Sequence, residues 1–103
     1  MITTQEELDA APLRTWLDLG PGVFIVRKDQ WVCALAGSEV YAYAGSQVNA
    51  LDGSVVDALV GSEVNAFAGS EVHAYNGSRV DDWDPEKGWV ERSVRRSRVE
   101  GEG

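Results

Sequence analysis

Cysteine and histidine are each present only once in this chain of 103 residues, and their scarcity excludes several kinds of chemistry. Cys33 has no second cysteine with which to form an internal disulfide or a metal cluster. It lies in the apolar run 31–35, which favours a small buried side chain over a nucleophile. His73 is not accompanied by any motif that supplies a nucleophile. We therefore predict no enzymatic activity, no cofactor and no metal site.

Long hydrophobic runs are also missing. No apolar stretch approaches the roughly 20 residues that a membrane-spanning helix needs. The first seven residues lack the charged and apolar regions of a secretion signal. The sequence therefore predicts a cytoplasmic protein without a membrane partner, and a host-cell cytoplasmic one if it is encoded by a phage.

Basic residues are few, and the charge is unevenly distributed. The chain has 17 acidic and nine basic residues, a net charge of −8. Residues 36–84 hold eight acids and one base, whereas residues 85–103 hold five bases, including Arg92, Arg95, Arg96 and Arg98. An acidic surface repels phosphate backbones, so we expect no direct binding to nucleic acid. Acidity is consistent with solubility and with docking onto a basic protein surface.

The chain does contain a repeat of eight residues, six copies of which fill residues 36–83. Gly-Ser occupies positions two and three and valine position five in all six copies. Alanine occupies position seven in five copies, and Asp82 replaces it in the last. Position eight is always large and apolar: Tyr43, Leu51, Leu59, Phe67, Tyr75 and Trp83.

An octapeptide of this kind predicts a strand and a tight turn. Side chains alternate between the two faces of a strand, and the even-numbered residues here are small, so we expect them to point inward. Glycine tolerates the positive φ that the turn needs. Residues 48–51 recur as 64–67, and residues 39–43 recur as 71–75. These shifts favour two strands and sixteen residues per coil, hence about three coils, with a three-sided coil of 24 residues as the alternative.

The repeat resembles the short Gly-Ser-x-Val-x-Ala repeat tracts of bacterial and phage proteins, which are expected to be β-solenoids. The resemblance covers residues 36–83, about half of the chain. It implies a β-solenoid, and the recurrence after sixteen residues predicts an all-β fold that is short and two-sided. It carries over no functional residue.

The flanking segments are predicted to cap the solenoid, because solenoid ends expose strand edges. Thr4 and Glu7 form a capping-box pattern before a short helix over 5–11, which Pro12 ends. Residues 13–19 and 23–26 flank Gly20-Pro21-Gly22 and are interpreted as a hairpin. The sequence thus predicts an N-terminal cap over 1–35, the solenoid over 36–83, and a C-terminal cap strand with a polar tail over 84–103. All three form one folding unit.

Acidic side chains form the first candidate surface: Glu39, Asp57, Glu63, Glu71 and Asp81. Glu39 and Glu71 are predicted on one sheet with Asp57 in the next column, and Glu63 on the other sheet with Asp81 near its end. An acidic solenoid face is able to imitate a DNA backbone, as acidic pentapeptide-repeat solenoids are thought to do. The plain alternative is that these charges only keep the protein soluble.

In the two-sided arrangement His73 stacks over Asp57, with Tyr41 one coil further. A His–Asp pair supports general base catalysis, but an exposed ladder residue is the simpler interpretation.

The residues at position eight form the second candidate surface. Alternation places Tyr43, Leu59 and Tyr75 in one outward stripe and Leu51, Phe67 and Trp83 in another. Continuous exposed apolar stripes mark interfaces, and a homodimer that pairs such stripes is one outcome. The alternative is that the N-terminal segment covers one stripe, or that the turns bury these side chains.

Together these patterns predict a non-enzymatic solenoid that binds a protein partner stoichiometrically. In its sharpest form this is an inhibitor from a phage or mobile element, which uses its acidic face against a basic nucleic-acid-binding or defence complex of the host. The alternative is a structural or assembly protein, such as a virion component, which uses its apolar stripes.

Overall fold

A computed structural model describes residues 1–84 and 88–91 of the chain. The described part contains one helix and ten strands. The helix α1 is Gln5–Ala10, and the strands are β1 Trp16–Leu19, β2 Gly22–Val26, β3 Trp31–Ala34, β4 Ser38–Ala42, β5 Gln47–Ala50, β6 Val55–Ala58, β7 Glu63–Ala66, β8 Glu71–Ala74, β9 Arg79–Asp84 and β10 Gly88–Glu91.

The strands alternate between two sheets, which confirms the two-sided β-solenoid. The first sheet has the order β1-β3-β5-β7-β9-β10, and the second has the order β2-β4-β6-β8. Within the repeat, neighbouring strands are parallel and their partners lie sixteen residues apart, as in the pairing of Val40 with Val56. The coil is therefore two-sided with sixteen residues, and the three-sided alternative is wrong. The solenoid has about four turns rather than three, because the strands before residue 36 join it.

The interior consists of the small side chains that alternation predicted. Valine at position five and alanine at position seven are buried through the middle coils, for example Val48, Ala50, Val56 and Ala58. The repeat serines also point inward, and Ser54 is 1% exposed. Small residues suffice here because two strands of the same coil face each other across a thin interior.

The turns explain why Gly-Ser is invariant. Gly53 has a φ of 85°, and its N–H donates to the carbonyl of Gly69 one coil later at 3.0 Å. A Cβ on Gly53 would lie 2.9 Å from the Cβ of Ala36, so both conformation and close approach require glycine. The Ser54 hydroxyl donates to the carbonyl of Leu51 at 2.6 Å. The serine thus satisfies the carbonyl of the first residue after the preceding strand β5.

The predicted N-terminal hairpin is wrong. β1 and β2 lie in different sheets and form the first coil. The strand register aligns residues 20–27 and 28–35 with the octads sixteen residues later. Asp29 has the positive φ of 68° that glycine has at position two of the repeat. Gln30 replaces the buried serine, and its N–H donates to the carbonyl of Arg27 at 3.0 Å. Without Gly-Ser, only the apolar alternation of these octads remained visible.

The N-terminal end of the solenoid is closed by α1. The predicted capping box is present, with the Glu7 N–H donating to Thr4 Oγ1 at 3.1 Å, and Leu8 is completely buried. The Gln5 amide accepts from the Ile25 N–H at 2.7 Å and donates to the Ile25 carbonyl at 2.9 Å. One glutamine side chain thereby replaces the peptide group of a missing strand at the edge of β2.

At the other end, β10 pairs antiparallel with β9, which confirms the C-terminal cap strand. The predicted arginine cluster at Arg92, Arg95, Arg96 and Arg98 and the polar tail lie outside the described residues.

Candidate functional site

Each sheet presents an outer face made of octad positions four, six and eight. The tyrosine face is the outer surface of β4, β6 and β8 with the residues that follow them: Glu39, Tyr41, Tyr43, Val55, Asp57, Leu59, Glu71, His73 and Tyr75. The asparagine face is the outer surface of β5, β7 and β9: Gln47, Asn49, Leu51, Glu63, Asn65, Phe67, Arg79, Asp81 and Trp83.

The five acidic candidates divide between these faces. Glu39, Asp57 and Glu71 lie on the tyrosine face. Glu63 and Asp81 lie on the asparagine face, on the opposite side of the solenoid. A single partner surface therefore reaches three of the five at most.

The two apolar stripes lie one on each face. The stripe on the second sheet consists of the residues that follow β4, β6 and β8, namely Tyr43, Leu59 and Tyr75. The stripe on the first sheet consists of Leu51 and Phe67, which follow β5 and β7, and of Trp83, which lies within β9. Tyr43 is 46% exposed, Tyr75 37% and Trp83 43%, while Leu51, Leu59 and Phe67 are half-buried. Phe67 and Trp83 have further interaction partners.

Asp57 lies at the centre of the tyrosine face. On the adjacent strands it is paired with Tyr41 and His73, and along its own strand it lies between Val55 and Leu59. Among the described residues, its carboxylate takes part in no hydrogen bond or ion pair shorter than 4 Å. Burial raises the pKa of the Asp57 carboxyl; His73 lowers it, and the carboxylates of Glu39 and Glu71 raise it again. The ionised form of Asp57 is therefore less stable here than it would be for a solvent-exposed aspartate.

His73 is the second polar group at this centre. Its Nε2 lies 3.0 Å from Glu71 Oε2, and its strand position opposite Asp57 agrees with the sequence prediction. The repeat serines are turned away from it, because each of their hydroxyls donates to a turn carbonyl at 2.6 Å. Within the part of the chain that the structure describes, no group of three or more His, Cys, Asp or Glu residues is arranged to hold a metal ion.

The asparagine face contains a hydrogen-bonded column that the sequence analysis missed. Asn65 Nδ2 donates to Asn49 Oδ1 at 3.0 Å, and Asn49 Nδ2 donates to Cys33 Sγ at 3.7 Å. Cys33 points outward and is half-buried rather than inside the core, and burial raises the pKa of its thiol. The recurrence of asparagine at position six after sixteen residues was the signal for this column.

Other groups on the asparagine face also pair with one another. Arg79 Nε lies 3.6 Å from Asp81 Oδ2. At the N-terminal end of the same sheet, the rings of Trp16 and Trp31 contact each other with centroids 5.5 Å apart. Polar and aromatic side chains of this sheet thus already have partners inside the molecule.

The fold and its two faces define a short two-sided β-solenoid. No protein-family model matches the chain, and no curated protein or solved structure shows significant similarity to it. Within residues 1–84 and 88–91, no helix has the length and apolar character needed to cross a bilayer.

Proposed function

We propose that this protein is a non-enzymatic, stoichiometric binding protein that docks a basic partner protein through its tyrosine face. The observation that carries the proposal is the position of Asp57. Its half-buried carboxylate has two further acids, Glu39 and Glu71, on the neighbouring strands. Three exposed tyrosines belong to the same face, and one of them, Tyr41, lies directly opposite Asp57; the others are Tyr43 and Tyr75.

This combination suits a protein interface in two ways. Tyrosines are enriched at the centres of binding surfaces, because they bury large areas at low conformational cost. Cationic side chains from a partner would compensate the three carboxylates, and unlike charges also accelerate association. Partner binding is thus the state in which the charge of Asp57 is best satisfied.

Two copies of the tyrosine face are poor partners for each other. A two-fold contact brings identical patches together, so the carboxylates of Glu39, Asp57 and Glu71 would approach those of the second copy. Like charges in a buried contact cost free energy. We therefore place a different, basic protein on this face rather than a second copy of the chain.

A host nucleic-acid-binding protein is the partner class that fits an acidic surface most directly. Such proteins carry basic surfaces for phosphates, and an acidic protein that covers the surface would act as an inhibitor. The role of a DNA mimic encoded by a phage or mobile element is the specific form of this proposal.

The proposal is tested by face-specific charge reversal. The immobilised protein captures partners from a bacterial lysate, with the wild type compared with Glu39→Lys/Glu71→Lys and with Glu63→Lys on the asparagine face. We expect one stoichiometric partner, lost at high salt and lost from the tyrosine-face variant but retained by Glu63→Lys. Equal capture by all three proteins would contradict the proposal. Competition by added DNA then reports whether the captured surface is a nucleic-acid site.

A further inference from the structure

Glu39 and Glu71 share one column of the tyrosine face and are separated by one strand. Glu39 pairs with Val55, and Val55 pairs with Glu71. Parallel strands lie about 4.8 Å apart, so the backbones at these two glutamates are separated by about 9.6 Å along the solenoid axis. A polyproline II segment has three residues per turn and advances about 9.3 Å over them, so every third side chain lies on the same face. In a β-strand, side chains three positions apart point to opposite faces. The spacing of the two carboxylates therefore matches side chains three positions apart in a polyproline II segment.

The surroundings of each carboxylate favour arginine over lysine. Tyr41 is the next outward residue after Glu39 on β4 and lies opposite Asp57, with 38% of its surface exposed. A planar guanidinium between Glu39 and Asp57 would stack on such a ring and donate to two carboxylates at once. An ammonium group gains less from this arrangement, because it is a compact, strongly hydrated charge.

The third column supplies apolar contact beside the charges. Tyr43, Leu59 and Tyr75 lie on successive coils and run along the solenoid axis parallel to the two glutamates. Their spacing of about 4.8 Å provides a continuous surface for the aliphatic parts of a peptide that crosses the strands. Long basic side chains pack their methylene groups against such surfaces while the charged end stays polar.

We propose that the tyrosine face binds a polyproline II segment of a partner protein with two arginines three positions apart, lying across β4, β6 and β8. One guanidinium contacts Glu39 and Asp57 beside Tyr41. The other contacts Glu71 and Asp57, where it displaces the His73 side chain from Glu71. This inference rests on the proposed function and specifies the partner of the same face.

Fluorescence anisotropy with labelled peptides tests the inference on the full chain. The peptides carry two arginines three positions apart, two arginines two positions apart, or two lysines three positions apart, at equal net charge. We expect the first peptide to bind about three- to tenfold more tightly than the other two, a difference typical of cation–π and geometric selection. Glu39→Gln and Tyr41→Ser should each weaken it, whereas Glu63→Gln should not.

The outcomes separate the inference from the proposed function. If all three peptides bind alike but Glu39→Gln still weakens them, the arginine inference is overturned and the proposed docking face stands. If Glu39→Gln and Glu63→Gln act equally, both fail. The chain's own Arg92, Arg95 and Arg98 also lie three positions apart in the sequence. If peptides bind only after these three are changed to glutamine, the occupant is the chain's own segment and the partner assignment is overturned.

Discussion

The two outer faces of the solenoid are built from the same octad positions, yet they satisfy their polar groups differently. On the asparagine face, position six forms a column in which Asn65 donates to Asn49 and Asn49 donates to Cys33. On the tyrosine face, the same position holds Tyr41, Asp57 and His73, and the Asp57 carboxylate has a raised pKa. The asparagine face pairs its position-six amides within the molecule, whereas the tyrosine face holds an unfavourably placed carboxylate at that position.

This difference is the basis on which we propose the tyrosine face, rather than the asparagine face, as the binding surface. Amide ladders along a parallel sheet add hydrogen bonds at every coil and stabilise the register. A half-buried carboxylate between apolar neighbours has the opposite effect, because its ionised form loses hydration without a compensating partner. A folded protein tolerates this loss of stability when the rest of the fold is stable enough, and binding sites often contain such unfavourable groups. The comparison predicts opposite effects of matched substitutions.

The largest effect is expected for Asn65→Asp at position six of the asparagine face. The change removes the amide donor to Asn49 and places a carboxylate opposite Asp81 on β9. We expect the free energy of unfolding to fall by about 2 kcal/mol, because the half-buried Asn49 oxygen loses its donor and like charges directly opposite each other on neighbouring strands are destabilising. Urea denaturation measures this loss, and binding of an arginine peptide should stay at the wild-type level. An unchanged midpoint would show that the asparagine column contributes nothing to stability.

A second pair compares position eight on the two faces. Phe67 is half-buried, so Phe67→Ser should lower the free energy of unfolding by about 1 to 2 kcal/mol. Tyr75 is 37% exposed, so Tyr75→Ser should change it by about 0.5 kcal/mol or less while weakening partner binding. Thermal melts and peptide titrations of both variants check this. A larger loss of stability for Tyr75→Ser than for Phe67→Ser would contradict the proposed difference between the two faces.

The smallest effect, with the opposite sign, is expected for Asp57→Asn. The pKa of Asp57 is raised in the folded state, so its ionised form costs stability above the usual aspartate range. Asparagine removes that cost, and the variant should be more stable than the wild type near neutral pH. The gain should disappear as the pH falls through the folded pKa of Asp57 and below its unfolded value, since the wild-type carboxyl is then protonated in both states.

Thermal melts of both proteins over a pH series provide the test for Asp57→Asn. Glu63→Gln is the control, because Glu63 is an exposed acid on the other face. A variant that is less stable than the wild type at neutral pH would contradict the assignment of Asp57 as an unfavourably placed charge.

The architecture was largely predictable from the sequence, because the invariant glycine, serine and valine positions report the turn and the inward alternation directly. The strands before residue 36 were not predicted as part of the solenoid, because the turn between β2 and β3 has Asp29 and Gln30 in the places of glycine and serine. The hydrogen bonds of the Gln5 side chain to the backbone of β2 were not predicted either. A single amide that replaces a peptide group leaves no pattern in a sequence.

The candidate site was predictable only in part. Because successive octads alternate between two sheets, the sequence placed His73 opposite Asp57 and the two apolar stripes on different sheets. The strand register agrees. The alternation of octads between the two sheets also predicted that Glu63 lies on the other sheet from Glu39 and Glu71, as the strand register shows. The environment of Asp57 depends on neighbours from three different coils, which only the folded register brings together.

Nuclear magnetic resonance mapping of a bound arginine peptide tests the central claim most directly. The amide spectrum of the labelled protein is recorded during titration with the peptide that carries two arginines three positions apart. We predict that the largest shifts fall on β4, β6 and β8, around Tyr41, Asp57 and His73, with little change at Asn49 and Asn65. Shifts centred on the asparagine face, or no shifts at a concentration that saturates the anisotropy signal, would contradict the assignment of the tyrosine face as the binding surface.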